Sequence, residues 1–235
     1  MSTIEIDEKV GTDLPRAQAR LSDHAATFLS TEHWSLLSSR SLGWSESFSR
    51  ISVFLTTLSA SVVALAFVAD ASGFDTEFKI FALVLFPIVL FLGIATYVRL
   101  VQINLEDIYL MAAMNRLRRA YIDDAPEIRE YLTSGVSDDE AGLWASHLLG
   151  RPQPRPSVQF LATTPTVLAT LNAVIATVGG GALAGHLGAS GVLLVGLCVV
   201  VFLSCWAGLF ALQMKAFKTA RQSVPRYRSR EQQGA

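Results

Sequence analysis

The chain has 235 residues, 51% of them apolar and 17% charged, with a formal net charge of −1. At a mean hydropathy of +0.40 it is too apolar for an ordinary soluble domain, and its charge balance carries no mark of a nucleic-acid binder, so no nucleic-acid partner is expected. Apart from Asp70, Asp75, Glu77 and Lys79, the charged residues fall in three stretches, 1–50, 99–155 and 215–231, each too short to promise a large enzyme domain with its own core.

Residues 1–50 read as amphipathic helices. Leu14, Ala17, Leu21, Ala25 and Phe28 recur at helical spacing. A second helix is expected to begin near Ser30 or Thr31, both good N-caps. It would carry Trp34, Leu37 and Leu42 towards the first apolar run, with Gly43 marking a break or a bend. The first apolar run begins only at Ile51, after the acidic start Glu5, Asp7 and Glu8. It therefore reads as a membrane span and not as a cleaved signal segment.

Residues 51–69 and 80–98 are free of Lys, Arg, Asp and Glu. About 20 apolar residues cross the ~30 Å hydrocarbon core as a helix, so 51–98 reads as a first transmembrane hairpin. Ser52, Thr56, Ala60 and Ala64 repeat every fourth residue along its first span. Such small-residue rows let helix backbones approach closely.

The second span is expected to continue past the membrane as a stalk. Between Arg99 and Tyr121 there is no Gly or Pro, and Leu100, Ile103, Asp107, Leu110, Met114, Leu117 and Tyr121 alternate at spacings of three and four. That is a heptad seam with one polar interruption. It fits either a coiled coil between subunits or packing on the chain's own N-terminal helix. Further on, a short helix is expected at 127–132. Ser137 and Glu140 match a capping box opening a helix through Leu149. The acidic run 138–140 suits a helix N-terminus better than a metal site. Residues 150–156, rich in Pro, read as an extended linker. The whole segment 99–158 forms a cytoplasmic helical region on this reading.

From residue 156 to residue 214 there is no Lys, Arg, Asp or Glu. The stretch is too long for one crossing, and glycines cluster between 179 and 191, so 159–214 reads as a second hairpin. Thr163, Thr164, Pro165 and Thr166 suit a helix start with Pro165 in the first turn. Ala169, Ala173, Thr177, Gly181 and Gly185 form a second small-residue row, with Ala169, Ala173 and Gly181 as the expected packing positions. Asn172 is the carboxamide deepest in any span. With Thr177 and Thr56 it is a candidate for an interhelical contact or for the lining of an oligomeric pore. Cys198 and Cys205, seven residues apart on one helix, read as packing residues.

Orientation follows from the basic residues. The stretch between the first two spans holds one lysine, Lys79, and the turn around His186 holds none; the other 18 of 19 lie on the opposite side. Both termini, the 99–158 segment and the basic tail 215–235 are therefore expected in the cytoplasm. Trp44, Tyr97 and Trp206 are expected near that interface. The spans hold no Asp, Glu, Lys or Arg, which disfavours a proton-coupled carrier. No H-E-x-x-H, G-x-S-x-G or phosphate-loop motif is present. The chain reads as a non-enzyme needing no cofactor or metal.

The stretches from His33 to Arg50 and from Glu106 to Tyr121 resemble a family of uncharacterised actinobacterial integral membrane proteins. The layout over 31–121, a leading helix entering a transmembrane hairpin that continues as a long cytoplasmic helix, is similar to the SLATT class, proposed pore-forming effectors of bacterial conflict systems. The second hairpin departs from the two-span SLATT plan. The expectation is thus an all-α, four-span protein of the bacterial plasma membrane, homo-oligomeric in the lipid bilayer. Its expected role is a passive channel or pore. The alternative is a scaffold or accessory subunit that holds a membrane or cytoplasmic protein partner through its cytoplasmic helices.

Overall fold

A computed structural model describes residues 23–148 and 163–223, with side chains to 220. Every regular element among them is helical: α1 (Asp23–Ser72), α2 (Thr76–Asp124), a 3-10 turn (Pro126–Tyr131), α3 (Glu140–Leu148), α4 (Thr164–His186) and α5 (Gly191–Ser223). The four long helices α1, α2, α4 and α5 each contain a segment long and apolar enough to cross a membrane. The chain therefore has the make-up of a multi-pass integral membrane protein.

α2 is the central helix and packs against all the others. Its 49 residues amount to ~74 Å of helix, and its last 26 residues run ~39 Å past the apolar segment. The expected continuation of the second apolar run beyond Arg99 is present, and Pro87 is accommodated within the helix.

α1 differs from expectation. It is one helix of 50 residues, so no second helix starts at Ser30 or Thr31 and Gly43 breaks nothing. Gly43 instead lies under Ile103, whose Cγ2 would stand 3.3 Å from a Cβ there. The face turned towards α2 is mixed, with polar or small residues between its apolar ones. Leu29, His33, Leu36, Arg40, Gly43, Ser47, Phe54, Leu58 and Ser61 are at least half-buried, and their spacings of three, four and seven run along the whole helix. Trp34 and Leu42 are 68% and 71% exposed, so they face outward. Residues 14–21 of the expected N-terminal helix lie outside the described residues; Phe28, the last of that set, is exposed.

A three-residue turn joins α1 to α2. Gly73 takes φ 64°, and Phe74 takes φ 65°, a left-handed conformation that bulky residues rarely adopt. From this turn the helices run side by side in opposite directions. Phe54 meets Gly93, Glu46 meets Arg99, Arg40 meets Asp107, and the Tyr121 hydroxyl donates to the Leu29 carbonyl. The seam on α2 thus packs on the chain's own α1. Leu100, Ile103 and Met114 are buried, while Leu110, Leu117 and Tyr121 are half-buried.

The expected short helix at 127–132 is the 3-10 turn. α3 is capped two residues later than the capping-box reading. Asp139 is its N-cap: its Oδ1 accepts from the Gly142 amide at 2.8 Å and from the Ser137 hydroxyl at 2.7 Å. Leu149 and the linker 150–156 lie outside the described residues. α4 runs unbroken through Gly179, Gly180 and Gly181 to His186, so the glycine-rich break narrows to residues 187–190. Each glycine instead faces a neighbour: Phe86 of α2 beside Gly179, Val201 of α5 beside Gly180, and Cys198 of α5 beside Gly181.

Candidate functional site

Two regions concentrate polar groups where the sequence alone offers little reason for them. One is the crossing of α4 with α1 and α2 inside the apolar half. The other is the charged half of α1 and α2, with α3 and the adjoining ends of α4 and α5.

In the apolar half, Asn172 is fully buried, and neither of its amide atoms has a hydrogen-bond partner among the described residues. It fits there because Gly93 has no side chain. A Cβ on Gly93 would overlap Asn172 Oδ1 and lie 2.9 Å from Phe54 Cε2 and 3.0 Å from Asn172 Cγ. Ala169, one turn before it on α4, and Ala173, the next residue, are also buried, and Gly181 crosses α5 so closely that a Cβ would lie 2.9 Å from Cys198 Sγ. The small-residue row of α4 is therefore a packing surface for its own chain. The row on α1 is not: Ser52, Thr56 and Ala60 are exposed.

The structure does not bring Asn172, Thr177 and Thr56 together. The Thr177 hydroxyl donates back to the Ala173 carbonyl at 2.7 Å. Thr56 is two residues from Phe54, on roughly the opposite face of α1. Within the chain these three residues line no common surface. Tyr97 is a core residue, 2% exposed, whose hydroxyl donates to the Leu209 carbonyl of α5 at 2.5 Å. Trp206 donates its indole N–H to Thr170 Oγ1 at 3.1 Å. Gln213, which the sequence did not single out, is fully buried where α4 begins. Its amide donates to Thr163 Oγ1 at 3.2 Å, and the Thr166 hydroxyl donates to its Oε1 at 3.4 Å.

The charged half is tied together by ion pairs and one buried amide. Arg99 reaches Glu46 and Glu106 at 2.8 and 2.9 Å, and Arg50 also reaches Glu46 at 2.7 Å. The hydrogen bonds from Arg99 and then Arg50 hold the Glu46 carboxyl down at about 2. The Arg40–Asp107 pair explains the polar interruption in the α2 seam. His33 stacks on Tyr121 with ring centroids 6.0 Å apart, and burial followed by the charge of Arg118 lowers its pKa. Asn115, fully buried, is the hub for α3: it donates to the Ser137 carbonyl at 2.8 Å, and its Oδ1 accepts from Ser146 at 2.6 Å and Arg118 at 2.8 Å. Gly135 and Gly142 pass so closely that a Cβ on Gly135 would overlap the Gly142 carbonyl.

Beside this framework lies a cleft of about 450 Å³, within the usual range for small-molecule sites of roughly 300–1,000 Å³. Its apolar base includes Ile51, Leu100, Ile103, Leu143 and Phe217. Trp44 and Phe48 of α1 and Trp144 of α3 supply further aromatic walls, and Arg40, Glu106, Asp107 and Glu140 supply charge. Ile51 and Leu100 sit at the ends of the apolar segments, so the cleft opens where those segments meet the charged half. Among the described residues, no group of three or more His, Cys, Asp or Glu is placed to hold a metal ion. No family model, curated protein or solved structure matches the chain.

Proposed function

We propose that this is a non-catalytic scaffold or accessory subunit of the bacterial plasma membrane, with two transmembrane hairpins and both termini in the cytoplasm. The orientation rests on the basic residues, 18 of 19 on one side. The observation that carries the scaffold reading is the outward face of α1 ahead of its apolar segment. Trp34 and Leu37, neighbours at i and i+3, are 68% and 43% exposed there, on the part of the helix that precedes the apolar residues. Exposed apolar surface of this kind marks an interaction site. The Arg40–Asp107 and Glu46–Arg99 ion pairs hold the helix that displays it against α2. A photo-crosslinking residue at position 34 should give a discrete protein adduct in living cells, while one at the exposed Glu32, about 160° around the helix, should not. Equal capture at both positions would end the reading.

The channel reading keeps one specific support. Ser52, Thr56 and Ala60 face outward on α1, so a pore could form only between copies of the chain. That arrangement would also suit the SLATT-like layout. Ion flux through liposomes carrying the purified protein would favour it over the scaffold.

A further inference from the structure

Arg118 stands apart from the other arginines of α1 and α2. Arg40, Arg50, Arg99, Arg116 and Arg119 each meet a carboxylate within 3.1 Å. Among the described residues, the one hydrogen-bond acceptor of Arg118 is the side-chain oxygen of Asn115, which takes its Nη1–H at 2.8 Å. That oxygen is neutral and already accepts from Ser146 at 2.6 Å. The rest of the guanidinium fork has no acceptor among the described residues, because Asp107 is taken by Arg40, Asp138 by Arg116 and Asp123 by Arg119. The place is a costly one for a lone cation. Arg118 is half-buried, and burial, followed by the charge of Arg40, lowers its pKa. Charges taken out of water are ordinarily paired. The His33 imidazole of α1 lies beside it. His33 stacks on Tyr121, the i+3 neighbour of Arg118 on α2, and burial followed by the charge of Arg118 lowers the His33 pKa.

We propose that Arg118 anchors a binding site for a soluble phosphate-bearing ligand, with the guanidinium fork on two phosphate oxygens and His33 beside the others. The planar fork matches two oxygens of one phosphate. A tetrahedral oxyanion then keeps oxygens for the imidazole, whereas a carboxylate has none to spare. The ligand comes from solution and not from the bilayer. Arg118 lies 20 residues beyond Val98, where the second apolar run ends, which is ~30 Å along the helix, and the headgroup layer is only ~5–8 Å deep. The proposal stands on this cluster and does not depend on whether α1 holds a protein partner.

His33 reports on the site. An anion on Arg118 cancels a charge that helps to hold the His33 pKa down, so the His33 titration midpoint should rise when the site fills. NMR of the detergent-purified full chain, with isotope-labelled histidine and His33 assigned by the signal missing from His33→Gln, reads that midpoint. Inorganic phosphate should raise it saturably above its value in chloride at equal ionic strength, and acetate should not. Arg118→Gln should start from a raised midpoint and lose the phosphate response. Arg118→Lys keeps the charge without the fork and should weaken phosphate binding at least about tenfold. It serves as the test even if Arg118→Gln fails to fold. Arg119→Gln, at a neighbour already paired with Asp123, should respond as the wild type does. The same midpoint in phosphate and chloride, an equal rise in acetate, or phosphate binding as tight in Arg118→Lys as in the wild type would each overturn the proposal.

Discussion

Gly93→Ala tests the packing at the centre of the molecule. The new methyl would overlap Asn172 Oδ1 and press on Asn172 Cγ at 3.0 Å and Phe54 Cε2 at 2.9 Å. Rotating the amide about its terminal bond moves the oxygen but not Cγ, and both Asn172 and Phe54 are fully buried. The relief must therefore come from a shift of α4 or α1. Overpacking of this kind costs about 1–3 kcal/mol, and the rigid surroundings place it near the upper end. Alanine returns about 1 kcal/mol through its better helix propensity. The net loss is about 2 kcal/mol, or a fall in the unfolding midpoint of about 4–8 °C for a chain of this size. Thermal unfolding of the detergent-purified protein, followed by circular dichroism, measures it. The double variant Gly93→Ala/Asn172→Ala removes the obstructing amide and should recover to within about 1 kcal/mol of the wild type, showing the strong coupling expected of residues in contact. A single variant that gains stability, as an alanine does at an open helical site, would refute the crossing. A double variant no better than the single one would do the same.

Three further outcomes follow. Asn172→Leu should stabilise the chain by about 1–3 kcal/mol in the same unfolding assay, because a buried amide without partners carries its desolvation cost unrelieved; a loss of similar size would mean that the amide bridges helices. Asn115→Leu should release α3, since it strands the Ser137 carbonyl, the Ser146 hydroxyl and Arg118, each buried loss costing about 1–3 kcal/mol; hydrogen exchange should rise across 135–148 while α4 and α5 stay protected, and unchanged exchange in α3 would contradict the hub. Glu46 has a folded-state pKa lowered from 4.5 to about 2, so its tie to Arg99 contributes stability above pH ~4.5 that is lost as pH falls towards ~2. A spin-label distance between the helices near 46 and 99 should hold at pH 5 and broaden near pH 2, and Glu46→Gln should remove that acid step.

The legibility of the chain varies with the kind of residue that builds each part. The apolar segments of α1, α2, α4 and α5 were readable because long runs without charge admit few other structures. The extension of α2 was readable because nothing between Arg99 and Tyr121 breaks a helix and its seam is mostly apolar. The partner face of α1 was hard to read: between Leu29, Leu36, Phe54 and Leu58 it carries His33, Arg40, Gly43 and Ser47, where ion pairs, an aromatic stack and a glycine contact take the place of apolar packing. Trp34 and Leu42 drew attention for their apolarity and proved to face outward. Asn172 stood out by its chemistry, but the absence of any partner depends on Gly93 and Phe54, 79 and 118 residues earlier in the chain. Asn115 and Gln213 gave no signal, since a carboxamide in a charged or boundary stretch reads as solvated until its burial is known.

Particle imaging of the detergent-solubilised protein tests the central claim most directly. The account predicts that each chain sends one rod of two paired helices, α1 with its own α2, ~40 Å out of the micelle, and that no water-filled axis runs through the membrane region. A ring of chains around a hydrated axis lined by Ser52 and Thr56, or a stalk in which α2 pairs with α2 of another copy, would contradict it.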